Sequence, residues 1–303
     1  MSLAPNKEAS PSEVAERISR SATSDRAYTL ITRGVALVFG AVLLVFVWSV
    51  LNSAWPVIKQ YNYHLLTSSV FSVGNGPYGA LTLILDTLIT TAIALFFAVP
   101  IGIGTALAIL YVIPERSRTV VSSVVELLAA VPSVVYGLWG VVVFNGLFKN
   151  IFHQTVGLSI FLAGLVLAIM ILPTMVAISR DVIAVVPRDL LEGAYSLGAT
   201  RSRTLTRVIV PSARTGILGA IALAAGRALG ETIAVAMVIG FSTYLPHSIF
   251  SGGATLASMI ATKFGEATTE DLSALAALAL MLMVITASVN AGARYLTRKA
   301  SAS

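Results

Sequence analysis

Charged residues and cysteine are what this chain lacks. Only 11% of its 303 residues are charged and 56% are hydrophobic, whereas soluble domains carry about 25% charged residues. These charged residues are too few to cover the surface of a protein in water, so the sequence predicts an integral membrane protein. The absence of cysteine excludes disulfides, thiolate metal sites, iron–sulfur clusters and cysteine nucleophiles.

A phosphate-binding loop of the GxxxxGK[ST] type is also missing, because no lysine of the chain follows a glycine. We therefore expect this chain to bind no ATP of its own. Metal ligation is not expected either, since His64, His153 and His247 lack the spacing of metal ligands. No GxSxG or HExxH pattern stands within the apolar segments, so the chain is predicted not to be an enzyme.

Six long apolar segments could each cross a bilayer, whose core requires about 20 residues of helix. They cover residues 34–58, 81–113, 119–148, 154–179, 215–241 and 272–293. Strand-type alternation is absent, and backbone groups in lipid must be hydrogen-bonded internally. We therefore predict an all-α membrane protein of six transmembrane helices that follows a polar cytoplasmic tail over residues 1–33.

The positive charges predict the orientation of these helices. With both termini in the cytoplasm, the inner segments hold 16 of the 20 Lys and Arg residues, whereas the outer loops hold Lys59, Lys149 and Lys263. This is the distribution that the positive-inside rule requires. It also accounts for the net charge of +6, so no nucleic-acid partner is expected.

Residues 180–214 form a long inner loop with a helical pattern. Pro187 suits the first turn of a helix, apolar residues recur at helical spacing after it, and Gly198 provides a left-handed cap. A second short helix is expected from Thr200 to Val210. A compact amphipathic element of this kind favours docking to a partner over a simple connection between spans.

This loop resembles the EAA loop of ABC-importer permeases, whose pattern is EAA-x3-G-x9-I-x-LP. The matching positions are Glu192, Gly193, Ala194, Gly198 and Pro211. The chain departs from the pattern at Gly193, which replaces the second residue of the triplet, and at Val208 and Val210, which replace Ile and Leu. In that family the loop is a coupling helix seated in a groove of the ATPase subunit. The resemblance implies that role for residues 187–211.

Arg227 and Glu231 are ionisable residues inside the fifth span. Arg227 lies about 18 Å along a helix that starts at Thr215, near the bilayer centre, where a lone charge costs several kcal/mol. Glu231 is four residues further on, within reach as an ion-pair partner. The residues alone leave two interpretations open, a structural ion pair or an anion site on a transport path. Gly226 and Gly230 form a GxxxG pair that permits close helix packing.

Two stretches resemble one branch of the ABC-importer permeases, the PstC permeases of phosphate importers. They are GRALGET over residues 226–232 and PSVVYGLWG over residues 132–140. The sister PstA branch usually carries a stretch closer to ARIAGET. The resemblance begins near residue 81 and is strongest over residues 126–240. It implies the type I ABC-importer permease fold, with residues 34–303 as the permease domain and residues 180–214 as its coupling loop.

The same resemblance implies an importer of inorganic phosphate in a bacterial or archaeal plasma (inner) membrane. The expected partners are a PstA-like permease, a PstB-like ATPase dimer that binds ATP and Mg, and a PstS-like phosphate-binding protein. Arg227 would hold phosphate transiently, and Glu231 would offset its attraction. Tyr136 and Trp139 either line the pathway or serve packing.

Three alternatives remain open at this point. One is a permease for another oxyanion, such as sulfate or molybdate, which would keep the EAA-type loop. A secondary transporter that works without ATPases is another, although no inverted repeat is visible. The third is a membrane scaffold or sensor, against which Arg227 and Glu231 argue. For Asp86 and Glu126, near the ends of their spans, structural and functional roles both stay open.

Overall fold

The computed structural model describes residues 11–74, 76–152 and 157–302, and within them the chain is helical apart from turns and loops. The α-helices are α1 (Pro11–Tyr61), α2 (His64–Thr67), α3 (Leu81–Leu107), α4 (Glu115–Ala130), α5 (Ser133–Trp139), α6 (Asn145–Phe152), α7 (Ile160–Ala184), α8 (Arg188–Ser196), α9 (Arg201–Thr204), α10 (Val210–Ser212), α11 (Arg214–Leu229), α12 (Ile233–Val238), α13 (Leu256–Lys263) and α14 (Thr269–Ala302). Turns of π-helix cover Ala108–Val112, Gly140–Phe144 and Leu205–Ile209, and Phe264–Glu266 is a 3-10 turn.

Four helical segments of the described chain are long and apolar enough to cross a membrane by themselves. They are Tyr28–Tyr61, Leu81–Val112, Ile160–Ala184 and Thr269–Lys299. Two further candidate spans are pairs of helices joined at a bend. One pair is bent at residues 131–132 and the other at residue 213, which brings the number of candidate spans to six. The prediction of an all-α, multi-pass membrane protein is confirmed.

The third predicted span, residues 119–148, is not one straight helix. Its two halves, Glu115–Ala130 and Ser133–Leu147, meet at 91°. Pro132 lacks an amide N–H and disfavours helical geometry in the residue before it, so Val131 is extended with ψ 127°. Hydropathy alone could not reveal this bend, because the two halves taken together are apolar enough to be one span.

Helix α1 begins at Pro11, so the tail predicted over residues 1–33 is helical from that position. Residues 1–10 lie outside the described part of the chain, and so does His153. Two compact units, Met1–Asn52 and Ser53–Ser303, divide the chain at a point inside α1. The functional residues considered below all belong to the second unit.

Helices α3 and α7 form the centre of the second unit. A Cβ added at Gly102 of α3 would lie 2.6 Å from Cγ of Met175, and one added at Gly164 of α7 would lie 2.6 Å from Cγ2 of Ile93. These glycines therefore allow the two helices to approach closely at two levels. Because the contacts advance in the same direction along both helices, α3 and α7 run parallel, as expected when the segment between them crosses the bilayer once.

The two ends of this unit are distinct. At one end, buried residues from the starts of α3 and α14 share a hydrophobic cluster that includes Leu83 and Leu278. At the other end, Ala106 of α3 and Ile183 of α7 pack against Ile217 of α11. The positive-inside rule predicts that the first end faces outward, and we refer to the two as the outer and inner ends.

Candidate functional site

The helix that carries Arg227 breaks within the apolar segment. Helix α11 ends at Leu229 and α12 begins at Ile233, so residues 230–232 are not helical. Gly230 is a poor helix former, and the amide of Glu231 bonds back to the carbonyl of Ala228 at 3.3 Å. The span predicted over residues 215–241 is therefore two helices joined by a turn, because Gly-Glu-Thr ends the first one without any proline.

This break lies at a surface of the chain. Arg227, Gly230 and Ile233 are all exposed. Backbone that leaves helical geometry at membrane depth is tolerated only where it is buried in protein or lines a water-filled cavity. The break must therefore face a second protein chain or an aqueous path, since lipid would leave its polar groups unsatisfied.

Arg227 and Glu231 do not form the ion pair that a continuous helix would allow. The Oε1 atom of Glu231 instead accepts a hydrogen bond from the amide of Ala234, at 3.4 Å, in the first turn of α12. Within the described chain, Arg227 forms no ion pair. Each charge lies at the helix end that favours it, because a cation is stabilised at a C-terminus and an anion at an N-terminus.

Helix α5, from the PSVVYGLWG stretch, packs directly on α12. A Cβ at Gly137 would lie 2.8 Å from the sulfur of Met237 and 3.0 Å from the Cα of Ala234. Ala234 lies in the first turn of α12, directly after the break. The structure thus brings the two stretches that carried the resemblance into one site beside the break.

Tyr136 closes the bend between α4 and α5. Pro132 has no N–H to donate to the carbonyl of Leu128, four residues earlier, and the buried Tyr136 hydroxyl donates to that oxygen at 2.7 Å. Trp139 is partly exposed and stacks edge-on against Phe144, with ring centroids 4.8 Å apart. Tyr136 therefore has a packing role, whereas Trp139 is accessible at the surface.

The two glycines of the GxxxG pair have different surroundings. A Cβ at Gly226 would lie 3.7 Å from the amide nitrogen of Asn290 on α14, an ordinary contact. At Gly230, which follows the last residue of α11, the nearest atoms to such a Cβ are backbone oxygens of its own helix. Close packing at Gly226 therefore involves α14, and a packing partner for Gly230 stays a prediction.

The predicted coupling loop is a helix followed by a left-handed glycine. Helix α8 starts directly after Pro187, and Gly198 has φ +77°. Its amide bonds to the carbonyl of Tyr195 at 2.9 Å, and Ala199 bonds to Ala194 at 3.1 Å. The left-handed cap at Gly198 is confirmed. The second predicted helix is divided into α9, a π-helical turn and α10.

Helix α8 has one face toward the protein and one toward solvent. Leu191 packs against the inner hydrophobic cluster of α3, α7 and α11. Glu192 is exposed but lines a pocket with Leu110 and Tyr111, next to Leu191. On the other side, Leu197 is 90% exposed, and Gly193 is also exposed. A groove of about 430 Å³ runs along this side, lined by Asp189, Leu190, Gly193, Ala194, Leu197, Ala199, Arg203, Arg207 and Val208. Pro211 is exposed beyond it.

The sequence left both a structural and a functional role open for Asp86, and the structure places this residue in the interior, where it is completely buried. Its Oδ2 accepts a hydrogen bond from the amide of Ala254 at 2.9 Å, and the neighbouring Thr87 hydroxyl accepts one from Leu256 at 3.0 Å. The only feature of the sequence that pointed to this contact was the pair of adjacent polar residues, Asp and Thr, within an apolar span. Glu126, in contrast, is an exposed residue that pairs with Arg180 at 3.5 Å.

A second buried carboxylate, Asp271, organises the outer end. Its oxygens accept hydrogen bonds from the amide of Gly74 at 2.9 Å, the hydroxyl of Tyr78 at 2.8 Å and the amide and hydroxyl of Thr268. Burial and the bond to Asp271 raise the pKa of Tyr78 above its ordinary value, so the hydroxyl remains a donor. No sequence pattern revealed this cluster, because Gly74 and Tyr78 are 197 and 193 residues away from Asp271.

Comparison with known families shows which family this chain belongs to. The model of the family described as "Binding-protein-dependent transport system inner membrane component" matches residues 98–302. The chain belongs to this family. The match includes α5, α8 and the break between α11 and α12.

Curated relatives match over most of their length. The chain is 41% identical to the phosphate transport system permease protein PstC of Haemophilus influenzae over 274 residues, which is 84% of this chain and 86% of that protein. It is 37% identical to PstC of Mesorhizobium japonicum over 306 residues, 94% of this chain and 93% of that one. These relatives are named as transport permeases, not as enzymes.

Solved structures of ABC transporters share the fold. A bacterial alginate ABC transporter in complex with a periplasmic protein has a chain with a TM-score of 0.64 at 17% identity, covering 91% of this chain and 96% of that one. The inward-facing MetNI methionine ABC transporter gives a TM-score of 0.55 at 14% identity, over 73% of this chain and 94% of that one. At these identities the likeness concerns the fold alone, and it confirms the predicted type I ABC-importer permease fold.

Proposed function

We propose that this chain is a permease subunit of an ATP-driven importer of inorganic phosphate. The observation that carries the proposal is its 41% identity, over 84% of the chain, to a PstC permease. The motifs that carried the resemblance meet at the break between α11 and α12, which also supports it. In this proposal the chain lies in a bacterial or archaeal inner membrane, with both termini in the cytoplasm.

The break between α11 and α12 would form part of the phosphate path. Its exposed surface would face a second, PstA-like permease across a water-filled passage, which would satisfy the polar backbone at membrane depth. The Arg227 guanidinium can bind a tetrahedral oxyanion through two parallel hydrogen bonds. Glu231 would keep the site from holding phosphate too tightly, because a nearby carboxylate offsets the attraction.

Helix α8 would dock on a PstB-like ATPase dimer. The exposed Leu197 and the groove beside it offer an apolar contact, and Leu191 connects the same helix to the inner ends of α3, α7 and α11. Movement of the ATPases would therefore reach the path through packed side chains. ATP and Mg would bind to the partner and not to this chain, and a PstS-like protein would deliver phosphate from outside.

Uptake of labelled phosphate tests the proposal in cells that lack this chain but retain its partners. The chain should restore ATP-dependent uptake at micromolar phosphate, and a co-purified ATPase should accompany it. Restored uptake of sulfate or molybdate, with none of phosphate, would contradict the substrate assignment. Phosphate uptake that persists without any ATPase would contradict the ATP-driven mechanism.

A further inference from the structure

The half-helix α12 is held at both of its ends. At its start, Glu231 accepts the hydrogen bond from the amide of Ala234. At its end, the carbonyl of Ile239 accepts one from the amide of Gly253 at 3.1 Å, and Val238 accepts one from Ser159 at 3.1 Å. A displacement of this short helix would therefore move the break that separates it from Arg227.

Asp86 of α3 fixes the segment that holds the end of α12. Its Oδ2 accepts the amide of Ala254, directly after Gly253. A Cβ at Gly253 would collide with the carboxylate of Asp86 and would lie 2.8 Å from Cγ1 of Ile160. Backbone and carboxylate therefore touch with no space for a side chain between them. The contact joins α3, from the central helix pair, to the far end of α12.

Of the hydrogen bonds near the end of α12, the one accepted by Asp86 can be removed by substituting a side chain. Near the start of α7, the backbone amide of Ser159 bonds to Val238 of α12, and those of Ile160 and Phe161 bond to Ser251 and Ile249. No substitution except proline deletes a backbone amide. The Thr87 hydroxyl bonds to Leu256 and so holds the start of α13. The second oxygen of Asp86, Oδ1, is buried and has no hydrogen-bond partner among the described atoms, so the bond from Ala254 is the one that Asp86→Leu would remove.

We propose that Asp86 is a positioning residue for the transport path: through Gly253 and Ala254 it holds α12, and with it the break that carries Glu231, in register with Arg227. This role deepens the proposed function, because it matters for transport only if the break is part of the path. The contact itself can be tested without phosphate.

A single cysteine provides the measurement, because the chain has none of its own. Ile233→Cys places a thiol at the first residue of α12, where the native side chain is 49% exposed. Its rate of modification by a maleimide is measured on this chain in membranes that contain the assembled complex. Asp86→Leu removes the acceptor, Asp86→Asn keeps one oxygen for the amide of Ala254, and Thr87→Val serves as the matched control.

We expect Asp86→Leu to change the modification rate at position 233 by about fivefold or more, because it leaves a buried amide unpaired. Asp86→Asn and Thr87→Val should stay within about twofold of the parent. An unchanged rate in Asp86→Leu would overturn the proposal, as would an equal change in Thr87→Val, which would indicate general loosening of the outer end. If Asp86→Leu does not reach the membrane, Gly253→Ala replaces it in the test, because the added Cβ would collide with the Asp86 carboxylate. The modification rate at position 233 is then judged by the same criteria.

Phosphate uptake by the same variants separates this proposal from the proposed function. Asp86→Leu should lower uptake at normal membrane abundance, and Asp86→Asn should restore it. Should the parent chain import no phosphate, the proposed function fails, while the modification rates still decide whether Asp86 holds α12. If uptake by Asp86→Leu equals that of the parent although the rate at position 233 has changed, the positioning role in transport is overturned.

Discussion

The Glu231 carboxylate accepts a hydrogen bond from the amide of Ala234, with 3.4 Å between Oε1 and the nitrogen. In the described chain it forms no ion pair with Arg227, although the two residues are four apart in sequence. Each charge instead lies at a helix end, with Arg227 in the last turn of α11 and Glu231 before the first residue of α12. The guanidinium consequently stays accessible to an anion.

Replacement of Glu231 by glutamine separates the two roles of this side chain, which are to accept the hydrogen bond from Ala234 and to carry a negative charge near Arg227. Glutamine keeps an oxygen for the amide of Ala234 but removes the charge, so the complex should retain its stability. Phosphate should then bind Arg227 more tightly and leave more slowly, which lowers both the KM and the maximal uptake rate by about tenfold. Uptake kinetics of labelled phosphate measure both quantities.

Glu231→Ala is the matched comparison, because it removes both the charge and the acceptor. It should show the same kinetic change and also lose about 1 kcal/mol of stability through the missing cap, seen as a lower Tm of the purified complex. Wild-type kinetics in Glu231→Gln would mean that the charge has no part in the path.

Two glycines of the coupling loop should respond oppositely to alanine. A Cβ would meet nothing within 4 Å at either Gly193 or Gly198, so only backbone conformation distinguishes them. Gly193 lies within α8, where alanine should stabilise the helix by up to about 1 kcal/mol. Gly198 has φ +77°, where alanine should cost about 1–2 kcal/mol. Melting of the purified complex measures both, and a lower Tm for Gly193→Ala than for Gly198→Ala would contradict the loop geometry.

Leu197→Asp should weaken binding of the ATPase without affecting the fold of this chain. The side chain is 90% exposed, so its replacement disturbs no internal packing. Burial of a leucine contributes about 1.5–3 kcal/mol, and we expect at least about a tenfold loss of ATPase recovered with the chain. Val185→Ser, at an apolar residue that is 80% exposed but precedes α8, is the control. Equal losses in both variants would remove the case for a specific α8 contact.

Asp271→Asn should destabilise the outer end of the protein. Asparagine cannot accept all of the bonds from Gly74, Tyr78 and Thr268, and each buried donor left unpaired costs about 1–3 kcal/mol. The adjacent Glu270 is exposed, so Glu270→Gln is a matched control that should leave the Tm unchanged. A Tm for Asp271→Asn equal to that of the control would show that the cluster does not hold the outer loops together.

The sequence predicted features that depend on local pattern or on composition. Apolar length predicted the spans, and Gly198 with its neighbours predicted the left-handed end of α8, because both depend on residues close together in the chain. The breaks within the spans were harder to predict. Pro132 lay inside an apolar run, where a kink and a 91° bend have the same sequence signature.

The surroundings of Arg227 and Asp86 could not be predicted from the sequence, for a physical reason. The pairing of Arg227 with Glu231 assumed a continuous helix, whereas Gly230 ends α11 between them. The partner of Asp86 is the amide of Ala254, 168 residues away, and a backbone donor leaves no trace in a sequence pattern. Tertiary contacts of this kind require the fold.

The most direct test of the account is ATP-driven accumulation of labelled phosphate in proteoliposomes that contain the purified importer with Arg227 or with Arg227→Gln. Charge-assisted hydrogen bonds contribute about 1.5–3 kcal/mol, so the account predicts a loss of about 10- to 100-fold in the glutamine variant. Arg227→Lys, which keeps the charge but not the paired donors, should recover part of it. Phosphate accumulation at the wild-type rate in Arg227→Gln, with the complex intact, would contradict the account.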